Sequence, residues 1–278
     1  METFSHSKNA AATRQGQDMA QRHVLVVGGG QAFEAAGEPV GNGRATCLAL
    51  ARRGARVVCA DRSLQAAQAT VALIEAEGGQ AWAVQADIAQ PDEATAIAGT
   101  ACRLMGRLDG LVLNAGISDR RPLPEVTADS WDRILNVNSR GHLLCVQAAL
   151  PLMSPGAAIV FVSSVAALLP LGRNPAYEAS KAALGALCRA TAMEGHSRDI
   201  RANLVLAGLI DTPMGRAAGA ARPGRAAGAL PFGRQGSAWE IASAIGFLLS
   251  DQAAYINAVE LPVDGGLCCG IGRPPPTP

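Results

Sequence analysis

Short apolar runs alternate with longer alanine-rich segments through most of the chain. The runs are four to seven residues long and rich in β-branched side chains, which is typical of strands buried on both faces. They predict strands at residues 23–27, 56–60, 81–85, 110–113, 158–162, 200–206 and 259–263.

The segments between these runs are rich in alanine, which favours helix. They predict helices at residues 45–53, 63–77, 92–105, 130–153, 175–194 and 238–249. Strands that alternate with helices indicate parallel strands joined by crossover helices. The pattern therefore predicts an α/β fold: one doubly wound domain with a seven-stranded parallel sheet flanked by helices.

The predicted domain spans residues 22–268, between a flexible polar lead at 1–21 and a Pro-rich tail at 269–278. The lead lacks the apolar core of a secretory signal, and no apolar run reaches the length of a membrane span. Residues 215–236 form the least regular internal segment, which we expect to be either a functional lid or disordered.

Composition narrows the class of protein. Apolar residues make up 49% of the chain and aromatic residues 4%, so the core must consist mainly of Ala, Val, Leu and Ile. A net charge of +1 provides no electrostatic basis for binding nucleic acid or an anionic membrane. The four histidines are dispersed without metal-binding spacing, so we expect no metal.

Seven cysteines, an odd number without a CxxC pair, lie mostly in apolar runs. They indicate buried free thiols in a reducing cytoplasm. Adjacent Cys268 and Cys269 are either a redox-active pair or two small residues near the end of the fold.

One group of side chains suggests chemistry. Tyr177 and Lys181 are four residues apart on a predicted helix, so they share a face. A neighbouring ammonium favours the phenolate and lowers the pKa of a tyrosine, which makes the phenol a usable general acid or base. Ser164 lies thirteen residues before Tyr177.

A second group indicates a phosphate site. Gly28 follows the first strand, and Gly41-Asn42-Gly43 opens the first helix. Glycines let the backbone approach a pyrophosphate, and a helix N-terminus favours its negative charge. A plain loop between strand and helix is the alternative, since thirteen residues separate Gly28 from Gly41.

Asp61 ends the second strand, eighteen residues after Gly43. An acid there accepts hydrogen bonds from a ribose and repels a 2′-phosphate, which favours NAD over NADP. The neighbouring Arg62 weakens that preference, and a helix N-cap is the other interpretation of Asp61.

Further short motifs occur in a fixed order along the chain. They are Asp87-Ile88, Asn114-Ala115-Gly116, Asn138, Ser164, Tyr177, Lys181, Ile210-Asp211-Thr212-Pro213 and Val263-Asp264-Gly265-Gly266. With the glycine turn and Asp61, this ordered set resembles the short-chain dehydrogenases/reductases over roughly residues 22–266.

The resemblance implies a role for each catalytic residue. Tyr177 would exchange a proton with the oxygen of a carbonyl or alcohol, and Ser164 would hydrogen-bond that oxygen. Lys181 would lower the pKa of Tyr177 and bind the nicotinamide ribose. Asn138 would hold a water that continues the proton relay.

The resemblance also implies cofactor contacts. Asp87 and Ile88 would lie at the adenine, and Ile210 and Thr212 at the nicotinamide carboxamide. The full implied set is Gly28, Gly41, Asn42, Gly43, Asp61, Asp87, Ile88, Asn114, Gly116, Tyr177, Lys181, Ile210 and Thr212.

Three departures from the family pattern stand out. Val27 replaces a threonine, and Ala207 replaces a proline whose loss would loosen the loop before Ile210. The segment 29–40 is nine residues longer than usual and contains Phe33 and two carboxylates, Glu34 and Glu38. Because carboxylates repel a pyrophosphate, we expect this segment to loop away, with the amide of Asn42 helping to close it.

The leading hypothesis is an oxidoreductase that transfers a hydride between NAD(H) and a secondary alcohol or ketone, with NADP(H) as the other cofactor. An NADPH-dependent 3-oxoacyl-thioester reductase and a non-catalytic dinucleotide-binding scaffold or sensor are the alternatives. The family usually forms tetramers through its two long helices, so we expect a homotetramer.

The substrate is expected to be a small molecule, held by a pocket that residues after Ser164 and in 215–236 would form. The expected apolar wall comprises Val165, Leu168, Leu169, Leu171 and Leu209. Arg173, Arg216, Arg222 and Arg225 either meet an acid group of the substrate or are solvated.

Overall fold

The computed structural model describes residues 18–31, 39–169, 173–220 and 230–270. The predictions for Phe33, Glu34, Glu38, Leu171, Arg222 and Arg225, and those for most of the lead and tail, fall outside these residues.

Seven parallel strands form one sheet, as the sequence predicts. They are β1 (His23–Val27), β2 (Arg56–Asp61), β3 (Gln80–Gln85), β4 (Gly110–Leu113), β5 (Ala158–Ser164), β6 (Arg201–Ala207) and, last in the chain, β9 (Glu260–Val263). Their order is β3-β2-β1-β4-β5-β6-β9, and each neighbouring pair is parallel. Two short strands, β7 (Ile210–Asp211) and β8 (Gly236–Ser237), pair separately.

Helices cover both faces of the sheet. They are α1 (Asn42–Arg52), α2 (Leu64–Ala76), α3 (Pro91–Met105), α4 (Ala128–Leu135), α5 (His142–Ala149), α6 (Pro175–Gly195), α7 (Pro213–Ala220) and α8 (Ala238–Leu249). α7 lies partly in the segment that the sequence predicts to be irregular. The predicted helix 130–153 is interrupted by a π-helical turn, Asn136–Gly141, between α4 and α5.

Each face of the sheet has its own apolar core. Side chains of α3, α5 and α6, such as Ile97, Cys145 and Leu184, bury one face. Side chains of α1, α2 and α8, such as Leu48, Ile74 and Ile245, bury the other. The strands are apolar on both faces because both faces are covered, which explains their continuous apolar runs.

The ordered domain extends further toward the N-terminus than residue 22. Met19 is fully buried, and its backbone N–H donates to the carbonyl of Arg53 at 3.2 Å. The guanidinium of Arg53 also binds the carboxylate of Asp18. Asp18 and Met19, which the sequence assigns to the lead, are therefore packed against the domain.

The described residues show three further features. All seven cysteines are free thiols, of which Cys47, Cys59, Cys145 and Cys188 are buried. Among the described helices none combines the length and apolarity needed to cross a membrane. The same part of the chain contains no cluster of three or more potential metal ligands.

The chain leaves β1 for β2 and β3 on one side, then crosses to β4 on the other side of β1. The carboxyl ends of β1 and β4 therefore form the switch point of the doubly wound sheet, where such folds bind ligands.

Candidate active site

Lys181 and Tyr177 project from the first two turns of α6. The Nζ atom of Lys181 lies 5.8 Å from the centroid of the Tyr177 ring, so the two side chains are neighbours, as their spacing predicts. Lys181 is only 4% exposed, and burial lowers its pKa to about 8. Its ammonium donates a hydrogen bond to the carbonyl of Val162 in β5 at 2.9 Å. The charge is thus held at a fixed place beside a half-buried phenol.

Strand β5 ends at Ser164, whose half-buried Oγ accepts a hydrogen bond from the Ala166 N–H at 3.2 Å. The preceding residue, Ser163, is buried and donates its hydroxyl to the carbonyl of Lys181 at 2.8 Å. Together with the bond between Lys181 and Val162, this contact joins the end of β5 to α6. Sequence reasoning missed Ser163, because a serine before a strand end carries no signal of its own.

Asn138 lies in the π-helical turn and is fully buried. Its Oδ1 accepts from the Ile117 N–H at 2.8 Å, while its Nδ2 donates to the Ile117 carbonyl and to Ser180 Oγ, each at 2.9 Å. The Ser180 hydroxyl in turn donates to the Tyr177 carbonyl at 2.7 Å. The Asn138 amide therefore holds the loop after β4 against α6, and π-turns are frequent at functional sites.

Gly116 lies beside this group. A Cβ atom added to it would lie 3.2 Å from Lys181 Nζ and 3.5 Å from Asn138 Oδ1. The structure thus brings three of the predicted residues, Gly116, Asn138 and Lys181, within contact distance.

Two glycines and an asparagine meet at the switch point. Gly28 has φ of 81°, and its added Cβ would lie 2.6 Å from the Ala115 backbone. An added Cβ on Gly43 would lie 1.9 Å from the Gly28 carbonyl oxygen, which also accepts from Asn114 Nδ2 at 2.7 Å. Gly41 differs, since its added Cβ would meet only the Gln31 side chain, at 3.7 Å.

The N-terminus of α1 has the partial positive charge of a helix start and nothing in the helix that neutralises it. Its N-cap residue Gly41 has no capping side chain, and the first turn contains no acidic residue. By contrast, Ser63 caps α2 and Ser237 caps α8. The start of α1 is therefore suited to an external anion.

The base of the long loop is closed by Gln31. Its Oε1 accepts from the Gly41 N–H at 2.8 Å, and its Nε2 donates to the Pro39 carbonyl at 3.4 Å. Asn42 Oδ1 is buried without a hydrogen-bond partner in the described part of the chain, and most of the loop that the Asn42 amide is expected to close lies outside the described residues.

Asp61 is held at the end of β2 by two backbone donors. Its Oδ2 accepts from Gly30 N–H and its Oδ1 from Ser63 N–H, each at 3.1 Å. The carboxylate therefore supports the turn after β1, and each oxygen keeps a second lone pair for another donor. The adjacent Arg62 is exposed.

The remaining predicted cofactor residues lie on either side of the switch point. After β3, Asp87 Oδ1 accepts from the Ala89 N–H at 3.0 Å, and the Ile88 side chain is buried against Gly141. After β6, Ile210 and Thr212 are buried, and Thr212 Oγ1 accepts from the Gly215 N–H at 3.0 Å.

The loop after β6 and the side chain of Arg216, both singled out by the sequence, have defined contacts. Despite Ala207 in place of proline, the following Gly208 N–H donates to the Val263 carbonyl at 3.1 Å, which ties this loop to β9. Arg216 forms an ion pair with Asp211 at 2.8 Å, and this contact lowers the pKa of the aspartate.

We compared the chain with known protein families, proteins and structures. A family model described as enoyl-(acyl carrier protein) reductase, of the short-chain dehydrogenase type, matches residues 37–268. The chain is 35% identical to cyclopentanol dehydrogenase of a Comamonas species over 247 residues, which cover 87% of this chain and 95% of the relative. The chain belongs to the short-chain dehydrogenase/reductase family.

Two further relatives agree with that assignment. Cis-4-hydroxycyclohexanecarboxylate dehydrogenase of Sinomonas cyclohexanicum is 35% identical over 254 residues, 90% of this chain and 98% of the relative. A blue fluorescent protein from a metagenomic library, solved in complex with NADPH, superposes with a TM-score of 0.81 at 34% identity, covering 90% of this chain and 99% of that one. Homologues of this short-chain dehydrogenase/reductase are thus dehydrogenases of alcohols and hydroxy acids.

Burial of the Lys181 ammonium predicts that this residue lowers the free energy of unfolding of the wild-type protein. At pH 7 the ammonium is charged in the folded and the unfolded chain, and its burial costs free energy. We expect Lys181→Met to raise the free energy of unfolding by about 2 kcal/mol. This figure is the burial cost that the substitution removes, less the contribution of the lost hydrogen bond to Val162. Denaturant unfolding of both proteins at pH 7 measures the difference.

The pH dependence gives a second readout. The pKa of Lys181 is about 8 in the folded protein and 10.5 for an ordinary lysine, so the unfolded chain binds more protons between these values. The wild-type protein should therefore gain stability relative to Lys181→Met as pH rises from 8 toward 10.5. A variant that is several kcal/mol less stable at pH 7 would instead show that Lys181 anchors the fold.

Proposed function

We propose that this protein is an NAD(H)-dependent oxidoreductase that interconverts a secondary alcohol and the corresponding ketone, with Tyr177 as general acid and base. The observation that carries the proposal is the buried Lys181 ammonium, fixed by Val162 and lying beside the Tyr177 ring. A buried charge is costly, and an ammonium held next to a phenol has a chemical use that packing alone does not supply.

Tyr177 and Ser164 together suit a carbonyl oxygen that gains negative charge. In the direction of ketone reduction, the Ser164 hydroxyl donates a hydrogen bond to that oxygen and Tyr177 transfers its phenolic proton to it. In alcohol oxidation, the Tyr177 phenolate takes the hydroxyl proton as the carbonyl forms. The Lys181 ammonium stabilises the phenolate in both directions.

Asn138 contributes to the proton path between Lys181 and solvent. Its side chain is hydrogen-bonded to Ile117 and Ser180, and Ser180 is bonded to the Tyr177 carbonyl, which supports a role for Asn138 in holding a water near Lys181. Such a water carries protons between Lys181 and solvent.

The residues present fit a dinucleotide. The uncapped start of α1 suits a pyrophosphate, and Gly28 and Gly43 leave the backbone bare where it must approach one. Asn114 and Gly116 line the same edge, and Asp87, Ile88, Ile210 and Thr212 flank it. A nicotinamide dinucleotide, when bound, supplies or accepts the hydride.

Asp61 supports NAD(H) rather than NADP(H). Its charge is held in place by Gly30 and Ser63 and would repel a 2′-phosphate. The exposed Arg62 and the NADPH complex of the related blue fluorescent protein favour the other cofactor, so NADP(H) is the alternative.

We place the substrate among alicyclic secondary alcohols. The named relatives act on cyclopentanol and on a hydroxylated cyclohexanecarboxylate. Leu168 and Met214 project exposed apolar side chains from the segments after β5 and β7, which supports an apolar wall. Of the four arginines expected near the substrate, the structure describes Arg173 and Arg216. Because Arg216 is paired with Asp211, Arg173 is the better candidate to bind an acid group of the substrate.

We further propose a homotetramer assembled through α6 and the helical segment α4 to α5. Ala179, Ala182, Ala183 and Ala186 are exposed on α6, and small side chains allow close helix approach. Gly185, which the sequence groups with them, instead faces Glu260 inside the subunit. Light scattering of the purified chain measures the assembly.

Substitution of the proposed acid tests the function. Tyr177→Phe should lower kcat for alcohol oxidation at least about a hundredfold, because the proton acceptor is lost, while NADH binding is retained. The assay follows NADH formation with cyclopentanol, cyclohexanol and 4-hydroxycyclohexanecarboxylate. Tyr255→Phe is the matched control, since Tyr255 is fully exposed.

Three results would oppose this function. Full activity of Tyr177→Phe would remove the assigned mechanism. Turnover of a 3-oxoacyl thioester with NADPH, and of no alcohol, would support the acyl reductase. Binding of NADH without turnover of any substrate would support a scaffold or sensor.

The glycine contacts predict a selective effect on cofactor binding. Gly43→Ala should raise the Kd for NADH at least about tenfold, because its Cβ collides with the Gly28 carbonyl in the turn that meets the pyrophosphate. Gly99→Ala, in α3 with only the Arg103 side chain near its Cβ, is the control and should bind NADH as the wild type does. NADH fluorescence titration measures both, and equal affinities would place the pyrophosphate elsewhere.

The charge of Asp61 predicts cofactor choice. The ratio of kcat/KM for NAD⁺ to that for NADP⁺ should favour NAD⁺ and fall about tenfold in Asp61→Asn, which corresponds to about 1.4 kcal/mol of lost repulsion. Arg62→Gln should shift the ratio in the opposite direction. A wild-type preference for NADP⁺ would overturn the assignment of NAD(H).

A further inference from the structure

His142 is a fully buried histidine that the proposed reaction does not use. It begins α5, directly after the π-helical turn that contains Asn138. Its Nε2 lies 2.9 Å from the carbonyl oxygen of Ala115. Ala115 is the central residue of the turn 114–116, which follows β4 at the switch point.

The hydrogen-bond pattern determines the tautomer. A carbonyl oxygen only accepts, so Nε2 must carry the proton. Nδ1 is buried and has no hydrogen-bond partner in the described part of the chain, which suits an unprotonated nitrogen better than an N–H. Burial, together with the charge of Lys181, lowers the pKa of His142 to about 3. The imidazole is therefore neutral and acts as a single donor.

The acceptor of this bond sits at the centre of the cofactor cleft. The Ala115 N–H donates to the Val27 carbonyl at 2.9 Å, and the Ala115 backbone fills the space that a Gly28 side chain would need. On one side Asn114 donates to the Gly28 carbonyl, and on the other side Gly116 lies against Lys181. A rotation of the peptide after Ala115 would move both neighbours.

We propose that His142 is a positioning residue for the dinucleotide site, which holds the Ala115 carbonyl and thereby fixes Asn114 against Gly28 and Gly116 against Lys181. The inference rests on the proposed function, since it assumes that the turn 114–116 forms part of the cofactor cleft. An apolar residue would fill the same space but leave the Ala115 carbonyl unpaired. A buried carbonyl without a donor favours rearrangement of its peptide.

A matched pair of variants separates the hydrogen bond from the packing. The amide of His142→Gln reaches about as far as Nε2 and keeps a donor, whereas His142→Met has similar length and no donor. Val146→Ala, one turn later on the same helix, removes buried apolar volume from α5 and changes no hydrogen-bonding group.

We expect His142→Met to raise the Kd and KM for NADH about tenfold, while kcat at saturating NADH stays within about threefold of the wild type. His142→Gln should restore most of the affinity, and Val146→Ala should change thermal stability but not the Kd. NADH fluorescence titration, steady-state kinetics and thermal unfolding of the purified enzyme provide these values. If His142→Met does not fold, His142→Asn, whose amide is too short to reach Ala115, replaces it under the same criteria.

Three outcomes would overturn the inference. One is unchanged NADH affinity in the donor-free variant. Another is a failure of His142→Gln to restore affinity, and the third is an equal loss in Val146→Ala. Failure of the proposed function is distinguishable, because it would appear in the wild type itself, which would then turn over no alcohol or bind neither NADH nor NADPH.

Discussion

The site depends on one constraint, which is that the charged Lys181 side chain is almost completely buried. The Val162 carbonyl offsets part of the cost of burying this charge by accepting a hydrogen bond from the ammonium, and that carbonyl belongs to the interior strand β5. Ser163 adds a second bond from β5 to the backbone of Lys181. The sheet therefore determines where the ammonium lies, and the helix turn from Lys181 back to Tyr177 determines which phenol it meets.

The same dependence extends to the residues at the switch point of the sheet. Gly116 packs on Lys181, Ala115 packs on Gly28, and Gly43 packs on the Gly28 carbonyl. The contacts of Gly28 and Gly43 are too close for a side chain, and that of Gly116 is tight, so the start of α1, the ends of β1 and β4 and α6 are held in register by close approach at these glycines. Asn138 lies in the π-helical turn, and His142 directly follows it. Both support this arrangement through hydrogen bonds to the backbone of the loop after β4.

Much of this was accessible from sequence because it is periodic or local. The seven strands follow from continuous apolar runs, and the adjacency of Tyr177 and Lys181 follows from helical spacing. The π-helical turn was missed because no proline or glycine pattern distinguishes it from regular helix. Ser163, Ser180, Gln31 and His142 were missed because their roles depend on partners that are remote in sequence or on backbone atoms, which no single-residue signal reveals.

If Lys181 makes Tyr177 acidic, as we propose, titration of that phenol will reveal it. The chain has only two tyrosines, so Tyr255→Phe leaves Tyr177 as the sole phenol. Its ionisation can then be followed by phenolate absorbance with and without Lys181→Met. We expect Tyr177 to titrate below the ordinary value of about 10 and Lys181→Met to raise its pKa. An unshifted titration that is the same in both proteins would contradict this expectation.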